Sequence, residues 1–315
     1  MAGIKAKAPL TKIAIFGANG RIGTEVTNYL NFLAPNVKLK LLSSSDANVK
    51  TLKSKFPNAE AVTADYRNLN SLVSALENVD GVFVVTPPAF DEEMAMNNLV
   101  TSLRNNTSIS QIVRLVGFVP EFPRAKFPWQ RLKTGGGHFI AKDILDKSGL
   151  PVTYVNLAAT LMDNLFFCIN GVAKRRTLVW PDRCTPTMDV RDLGEVIARI
   201  FLMDDKRYIN SLVTVNNGYD LPSTQETAKM MSEAFLTPIG CETSREAFME
   251  MYGPIFEQRY GSSEKALALL DSFEWEHEHC VWELNQTAER ILHRRPNTLF
   301  NWFREHKNLF IKDGY

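Results

Sequence analysis

Three glycines stand at G-x-x-G-x-x-G spacing, Gly17, Gly20 and Gly23, between an apolar run at 12–16 and a helical pattern at 21–30. That arrangement suits a diphosphate: backbone N–H groups at a helix start must approach the phosphate oxygens closely, and a Cβ at the turn would hold the chain away. Asn19, Arg21 and Ile22 share the turn and join the glycines as candidate dinucleotide ligands, with a bare structural turn as the alternative. Farther along, His138 and Lys142 lie four apart in a helical pattern and share one face. An imidazolium or an ammonium there can give a proton to a developing alkoxide, or the two can serve as acid and base.

A carboxylate about 20 residues past such a turn would hold the ribose 2′-OH of NAD. Here Ser43, Ser44 and Ser45 stand in that region. Hydroxyls bond either a ribose or a phosphate, and Arg21 can pair with a 2′-phosphate, so the expected cofactor is NADP. Asp46 keeps NAD open, and Arg21 can equally be a solvated first-turn residue. Asp65, just past the third strand, is placed either to meet adenine or to cap the next turn.

The elements that must position these residues alternate. Strands are expected at 12–16, 37–42, 61–64, 82–85, 112–116 and 152–157, several of them continuous apolar runs covered on both faces. Helical stretches separate them, as at 69–76, where Leu69, Leu72, Val73 and Leu76 repeat with helical period. This predicts an α/β fold with a doubly wound parallel sheet over 1–157. A smaller, mainly helical substrate or cap lobe is expected over 158–315, with one strand at 211–217 returning to the sheet. Ser223 with Glu226, and Thr243 with Glu246, read as capping boxes; further helices are expected at 189–202, 263–273 and 297–306, with no strand after Leu221.

The chain has 315 residues, 45% of them apolar, and its 36 Lys and Arg balance 35 Asp and Glu. Net charge therefore gives no reason to expect nucleic acid or a membrane surface as partner. The four cysteines form no CxxC pair, and His277, His279 and Cys280 are too close together to surround one tetrahedral ion, so no metal is expected. No leader-type apolar segment or membrane span is apparent, and the expected compartment is the cytoplasm.

Several segments in order resemble the NmrA-like group of atypical short-chain dehydrogenases: GANGRIG at 17–23, TADYRNLNSLVSALENVDGVFVVTPP at 63–88, HFIAKDILDKSGLPVTYVNLAATLMDNL at 138–165, TMDVRDLGEVIARIFL at 187–202 and RRPNTLFNWFREHKNLF at 294–310. The resemblance implies a Rossmann-type sheet, bound NAD(P), and a substrate pocket between the C-terminal edge of the sheet and the cap. It places Thr86 and Pro87 against the nicotinamide half of the cofactor and residues 160–164 along the cleft. It also implies that Lys142 anchors the ribose and polarises the substrate oxygen. Ordinary short-chain dehydrogenases use Tyr-x-x-x-Lys and a strand-end Ser. Here His138 takes the Tyr slot, Lys142 keeps its slot, and Gly117 stands where Ser is expected, so the usual proton relay is incomplete.

Bulky apolar residues follow two strand ends: Phe118, Phe122, Phe127 and Trp129 after the fifth, and Leu161, Met162, Phe166 and Phe167 after the sixth. Aromatic clusters are commonly core, but these sit where sheets of this type bind ligands. The expected substrate contacts are Phe118, Trp129, Thr160, Met162 and Asn164, and the expected ligand is a small apolar or aromatic molecule. Three activities fit: an NADP-preferring reductase of a carbonyl or activated C=C, a nucleotide sensor acting on a partner protein, and a redox-neutral isomerase or cyclase.

Overall fold

In the computed structural model, the residues described are 7–87, 90–104, 106–117, 136–279 and 282–311. The strand and helix runs are β1 Lys12–Phe16, α1 Arg21–Leu33, β2 Lys38–Ser43, α2 Asp46–Lys55, β3 Glu60–Thr63, α3 Leu69–Ala75, β4 Gly81–Val84, α4 Glu92–Leu103, β5 Gln111–Gly117, α5 Gly136–Lys147 and β6 Val152–Leu157. Beyond them come β7 Thr160–Leu161, a 3₁₀ segment Met162–Cys168, α6 Ile169–Arg175, β8 Thr177–Val179, β9 Thr187–Met188, α7 Val190–Leu202 and β10 Ser211–Val215. The chain continues through α8 Thr224–Phe235, β11 Gly240–Glu242, α9 Arg245–Tyr260, α10 Glu264–His279, α11 Thr287–Leu292 and α12 Leu299–Phe310.

Seven strands form one sheet in the order β10-β6-β5-β4-β1-β2-β3, and every pairing in it is parallel. Strand alternation explains the continuous apolar runs, because each face has its own helical cover. Ile13 and Ile15 of β1 face a cluster shared with Val26 and Leu30 of α1 and Leu193 and Ile197 of α7. Ala14 and Phe16 face the opposite cluster, with Leu72, Leu99 and Leu145 from α3, α4 and α5. Strand order reverses between β1 and β4, which opens a fork at their C-terminal ends.

Two helices from beyond residue 157, α7 and α11, join the sheet's α1 face. The remaining C-terminal helices build two smaller cores, one around Met231, Phe235, Trp302 and Phe303, the other around Phe248, Tyr252 and Leu270. The Ser223–Glu226 capping box forms as expected. The second one does not: α9 begins under Ser244, whose side chain accepts from Ala247 N, so Thr243 is one residue too early. A short strand also lies past Leu221, since β11 pairs in parallel with β8; its three exposed residues carry no apolar pattern that would announce it. No helix among the described residues is long and apolar enough to cross a membrane.

Helix α7 lies close against α1 because Gly194 has no side chain: a Cβ there would sit 2.4 Å from Glu25 Cβ and 2.9 Å from its carbonyl carbon. Gly194→Val should therefore lower unfolding stability by about 1–3 kcal/mol, as overpacking does. An unchanged urea midpoint would contradict this packing.

Candidate functional site

The glycine turn lies at the β1/β4 fork. Gly17 adopts φ +64°, a left-handed conformation that favours glycine, and an added Cβ would meet Val85 Cγ1 at 2.9 Å. Gly20 N donates to Gly17 O at 2.8 Å, closing the turn. At Gly23 a Cβ would fall 2.2 Å from Gly17 O, so this glycine lets α1 start directly over the strand end. Helices α2, α3, α4 and α7 begin under side-chain acceptors from Ser45, Asn68, Asp91 and Asp189. Helix α1 begins at Gly20 with no side-chain cap and no acidic residue in its first turn. Its first N–H groups and the positive end of its dipole are thus left for an anion, with Asn19, Gly20 and Arg21 exposed around them. The cradle fits a dinucleotide diphosphate.

The other expected cofactor residues have definite neighbours. Ser43 is buried at the end of β2, Ser44 is exposed, and Ser45 caps α2 by accepting from Asn48 N at 3.2 Å. Asp65 receives Arg67 in a bidentate pair, at 2.8 Å for the shortest contact, and also accepts Arg67 N at 2.9 Å. Those bonds hold its carboxyl below the usual range and make it the keystone of its own turn. Arg21 reaches across to the cap: Nη2 donates to Asn164 Oδ1 at 3.3 Å and Nη1 lies 3.8 Å from Asp163 Oδ2. Burial pushes the Asp163 carboxyl up, with Arg21 opposing.

Beside the fork lies a buried ion pair that sequence reasoning missed. Arg114 is in the middle of β5 with no exposure, and its Nη2 donates to Glu92 Oε1 at 2.7 Å and to Thr86 Oγ1 at 3.0 Å. Thr86 Oγ1 donates in turn to Glu92 Oε1. The hydroxyl of Thr86 is therefore committed to Glu92 and Arg114. A guanidinium interrupting the apolar run QIVRLVG was the available signal, because a charge inside a doubly covered strand needs a buried partner.

His138 opens the first turn of α5 against the end of β5. A Cβ on Gly117 would lie 2.8 Å from His138 Nε2. The two departures from the short-chain pattern are therefore one steric solution: glycine at the strand end makes the space that the imidazole fills. Burial, reinforced by the positive Arg114, drops the ring's pKa from 6.5 to about 3. The ring is neutral at physiological pH, so an imidazolium is not the form present there. Its Nδ1 is buried and has no hydrogen-bond partner among the described residues.

Lys142, one turn along α5, points elsewhere. Its Nζ donates to Asp146 Oδ2 at 2.6 Å and lies 4.8 Å from the centre of the Tyr154 ring, while Tyr154 OH donates to Asp146 Oδ1 at 2.8 Å. On the cap side, Thr160 is half-buried and accepts from Arg183. Met162 is fully buried in the cap core, and Phe166 packs on Trp302 and His306. Phe118, Phe122, Phe127 and Trp129 lie outside the described residues. No group of three His, Cys, Asp or Glu among the described residues is placed to hold a metal ion.

Two open cavities, of about 580 and 700 Å³, lie away from the fork, one between Tyr29 and Asn301, the other along β10. Two of the three arginines lining the first are ion-paired, Arg191 with Asp189 and Glu305 and Arg294 with Asp192 and Glu195, and the third, Arg295, lies over the Tyr219 ring. The fork holds the uncapped start of the 13-residue α1, whereas α11, whose start also lacks a side-chain cap and borders the second cavity, has only 6 residues.

Parallel sheet, strand-order reversal and uncapped glycine turn together define a Rossmann-like α/β protein. More narrowly, the chain belongs to the NmrA-like family, whose model matches residues 9–289. No curated protein matches the sequence. Solved structures match the fold at low identity. Citrobacter sp. triphenylmethane reductase complexed with NADP(H) is 14% identical, with a TM-score of 0.76 over 94% of this chain and 99% of that one. The NADPH-dependent quinone oxidoreductase of Escherichia coli, complexed with NADPH, is 15% identical, with a TM-score of 0.74 over 93% and 99%. A nucleoside-diphosphate-sugar epimerase from Staphylococcus aureus is 18% identical, with a TM-score of 0.75 over 93% and 99%.

Glu92→Leu should cost about 3–5 kcal/mol, because it leaves Arg114 charged and unpaired, whereas Glu92→Leu with Arg114→Met should cost much less. Urea unfolding of the two single variants and the double variant measures this coupling, and additive losses would refute it. For His138 the folded state binds a proton only near pH 3, while the unfolded chain takes one up near the ordinary 6.5. Stability from the neutral ring is then whole above 6.5 and is lost as pH falls toward 3. His138→Phe should flatten that part of the stability profile, and a profile parallel to wild type would refute the assignment.

Proposed function

We propose that this chain is an NADP-preferring oxidoreductase that reduces a carbonyl or activated C=C of a small, mostly apolar or aromatic compound. The observation that carries the reading is the uncapped start of α1 at the strand-order reversal, built on three glycines whose side-chain space is otherwise filled. The like fold of a triphenylmethane reductase and an NADPH-dependent quinone oxidoreductase supports it.

When bound, a reduced nicotinamide supplies a hydride to the substrate carbon. The chain's part is to bind and orient. Gly17, Asn19, Gly20, Ile22 and Gly23 hold the diphosphate; Arg21, Ser43 and Ser44 take the 2′-phosphate; Asp65 borders the adenine side. Thr86 and Pro87 support the nicotinamide half through their backbone, which Arg114 and Glu92 fix from below. Lys142 leaves Asp146 to meet the ribose and to hold a proton at Nζ near the substrate oxygen. Neutral His138 contributes a hydrogen bond there, and Thr160 and Asn164 line the substrate side.

One observation favours a second reading, a nucleotide sensor with a partner protein. Arg21 already joins the glycine turn to Asp163 and Asn164 of the cap, so a phosphate that takes Arg21 would release that cap segment.

Mixed with NADPH and a panel of quinones, enones and aromatic aldehydes, the protein should oxidise the cofactor above background. Tight NADPH binding without oxidation selects the sensor, and no calorimetric heat with either NADPH or NADH defeats both readings. Arg21→Ala should weaken NADP binding about tenfold or more, as loss of a charge-assisted bond does, and leave NAD binding nearly unchanged. An equal effect on both nucleotides removes Arg21 from the phosphate site.

A further inference from the structure

The cap holds a second buried charge pair, on the substrate side of the cleft in the reading above. Arg183, between β8 and β9, is only 6% exposed. Its Nη2 donates to Thr160 Oγ1 at 2.8 Å, its Nε donates to Thr185 Oγ1, and its guanidinium carbon lies 4.0 Å from the centre of the Phe273 ring. The remaining nitrogen, Nη1, is 3.2 Å from Glu276 Oε2. Phe273 and Glu276 both belong to α10, and the side chain of Trp282 also reaches the Glu276 carboxyl.

Helix α10 touches both parts of the molecule through adjacent residues. Trp275 joins the sheet-side cluster that contains Phe139 and Tyr154, while Glu276 meets Arg183 of the cap. A clasp between these parts needs no charges, and taking two ions out of water is expensive compared with apolar packing of the same volume. The pair is also imperfect: Arg183 Nη1 and Glu276 Oε2 approach as ions, yet neither makes a hydrogen bond of good geometry among the described residues. A buried guanidinium with an aromatic face on one side and two hydroxyls on the other is, in contrast, well composed to receive a carboxylate on an aromatic frame.

We propose that Arg183, Thr160, Thr185 and Phe273 form an anchor for the carboxylate of an aromatic ligand, and that Glu276 is a tethered carboxylate which occupies this anchor until the ligand displaces it. The proposal rests on Thr160 bordering the substrate cleft, and it adds an anionic group to the mostly apolar substrate proposed above. Burial pushes the Glu276 carboxyl up, which favours its release from the anchor over its remaining there as an ion. Displacement frees Glu276 to water and leaves one carboxylate on Arg183 in place of another, so charge is conserved in the site.

The test is calorimetry of the full chain with 1-naphthoate and, as neutral isostere, 1-naphthamide, with and without NADPH. Glu276→Gln should bind naphthoate about tenfold more tightly than wild type, with naphthamide affinity unchanged, because only the competing carboxylate is gone. Arg183→Met added to Glu276→Gln should abolish that gain. A structural clasp alone would give lower thermal stability and no gain for the acid. Unchanged naphthoate affinity, or equal gains for acid and amide, overturns the proposal. If the variants fail to fold, hydrogen exchange of the wild-type protein decides: saturating naphthoate should speed exchange at 276–279, the end of α10 beyond Phe273, and unchanged exchange there, or no naphthoate binding, overturns it. Because the titrations are also run without NADPH, they stay readable if the chain binds no dinucleotide.

Discussion

The close approach of Gly23 to the carbonyl of Gly17 governs the organisation of this protein. With no side chain between them, α1 can start immediately over the end of β1 and aim its unpaired N–H groups into the fork beside β4. A larger residue would push the helix outward and tilt it away from α7, which is itself seated against α1 through Gly194. The same short contacts that open the turn to an anion therefore fix the packing of one whole face of the sheet.

On the opposite face the organising element is ionic. Arg114, Glu92 and Thr86 tie the middle of β5, the start of α4 and the segment after β4 into one buried unit. Directly above it, His138 fills the space that Gly117 leaves. Burial, reinforced by the positive Arg114, lowers the imidazole's pKa and disfavours its charged form. Lys142 rests on Asp146 and the Tyr154 ring one turn away.

Much of the architecture was legible because the physics is local. Runs such as KIAIF and VTYVNL are apolar on both faces, and the glycine spacing followed by Ile22, Val26 and Leu30 already implies a turn feeding a helix. The Ser223–Glu226 box was legible for the same reason. What escaped notice depends on distant partners. Nothing near Arg114 in sequence indicates that Glu92, 22 residues earlier, will neutralise it. The packing of His138 on Gly117 and the contact of Arg21 with Asn164 likewise join segments that only the folded sheet brings together. The pairing of Lys142 with Asp146 is the exception, a local i,i+4 contact within α5.

Helix α10, fastened by Trp275 to the sheet and by Glu276 to the cap, has a thermal bias. Apolar association weakens as water is cooled, and the desolvation penalty of an ion pair shrinks as it is warmed. Both fastenings therefore change in the same direction, so chilling favours detachment of the helix at the two points together and moderate heat favours its seat.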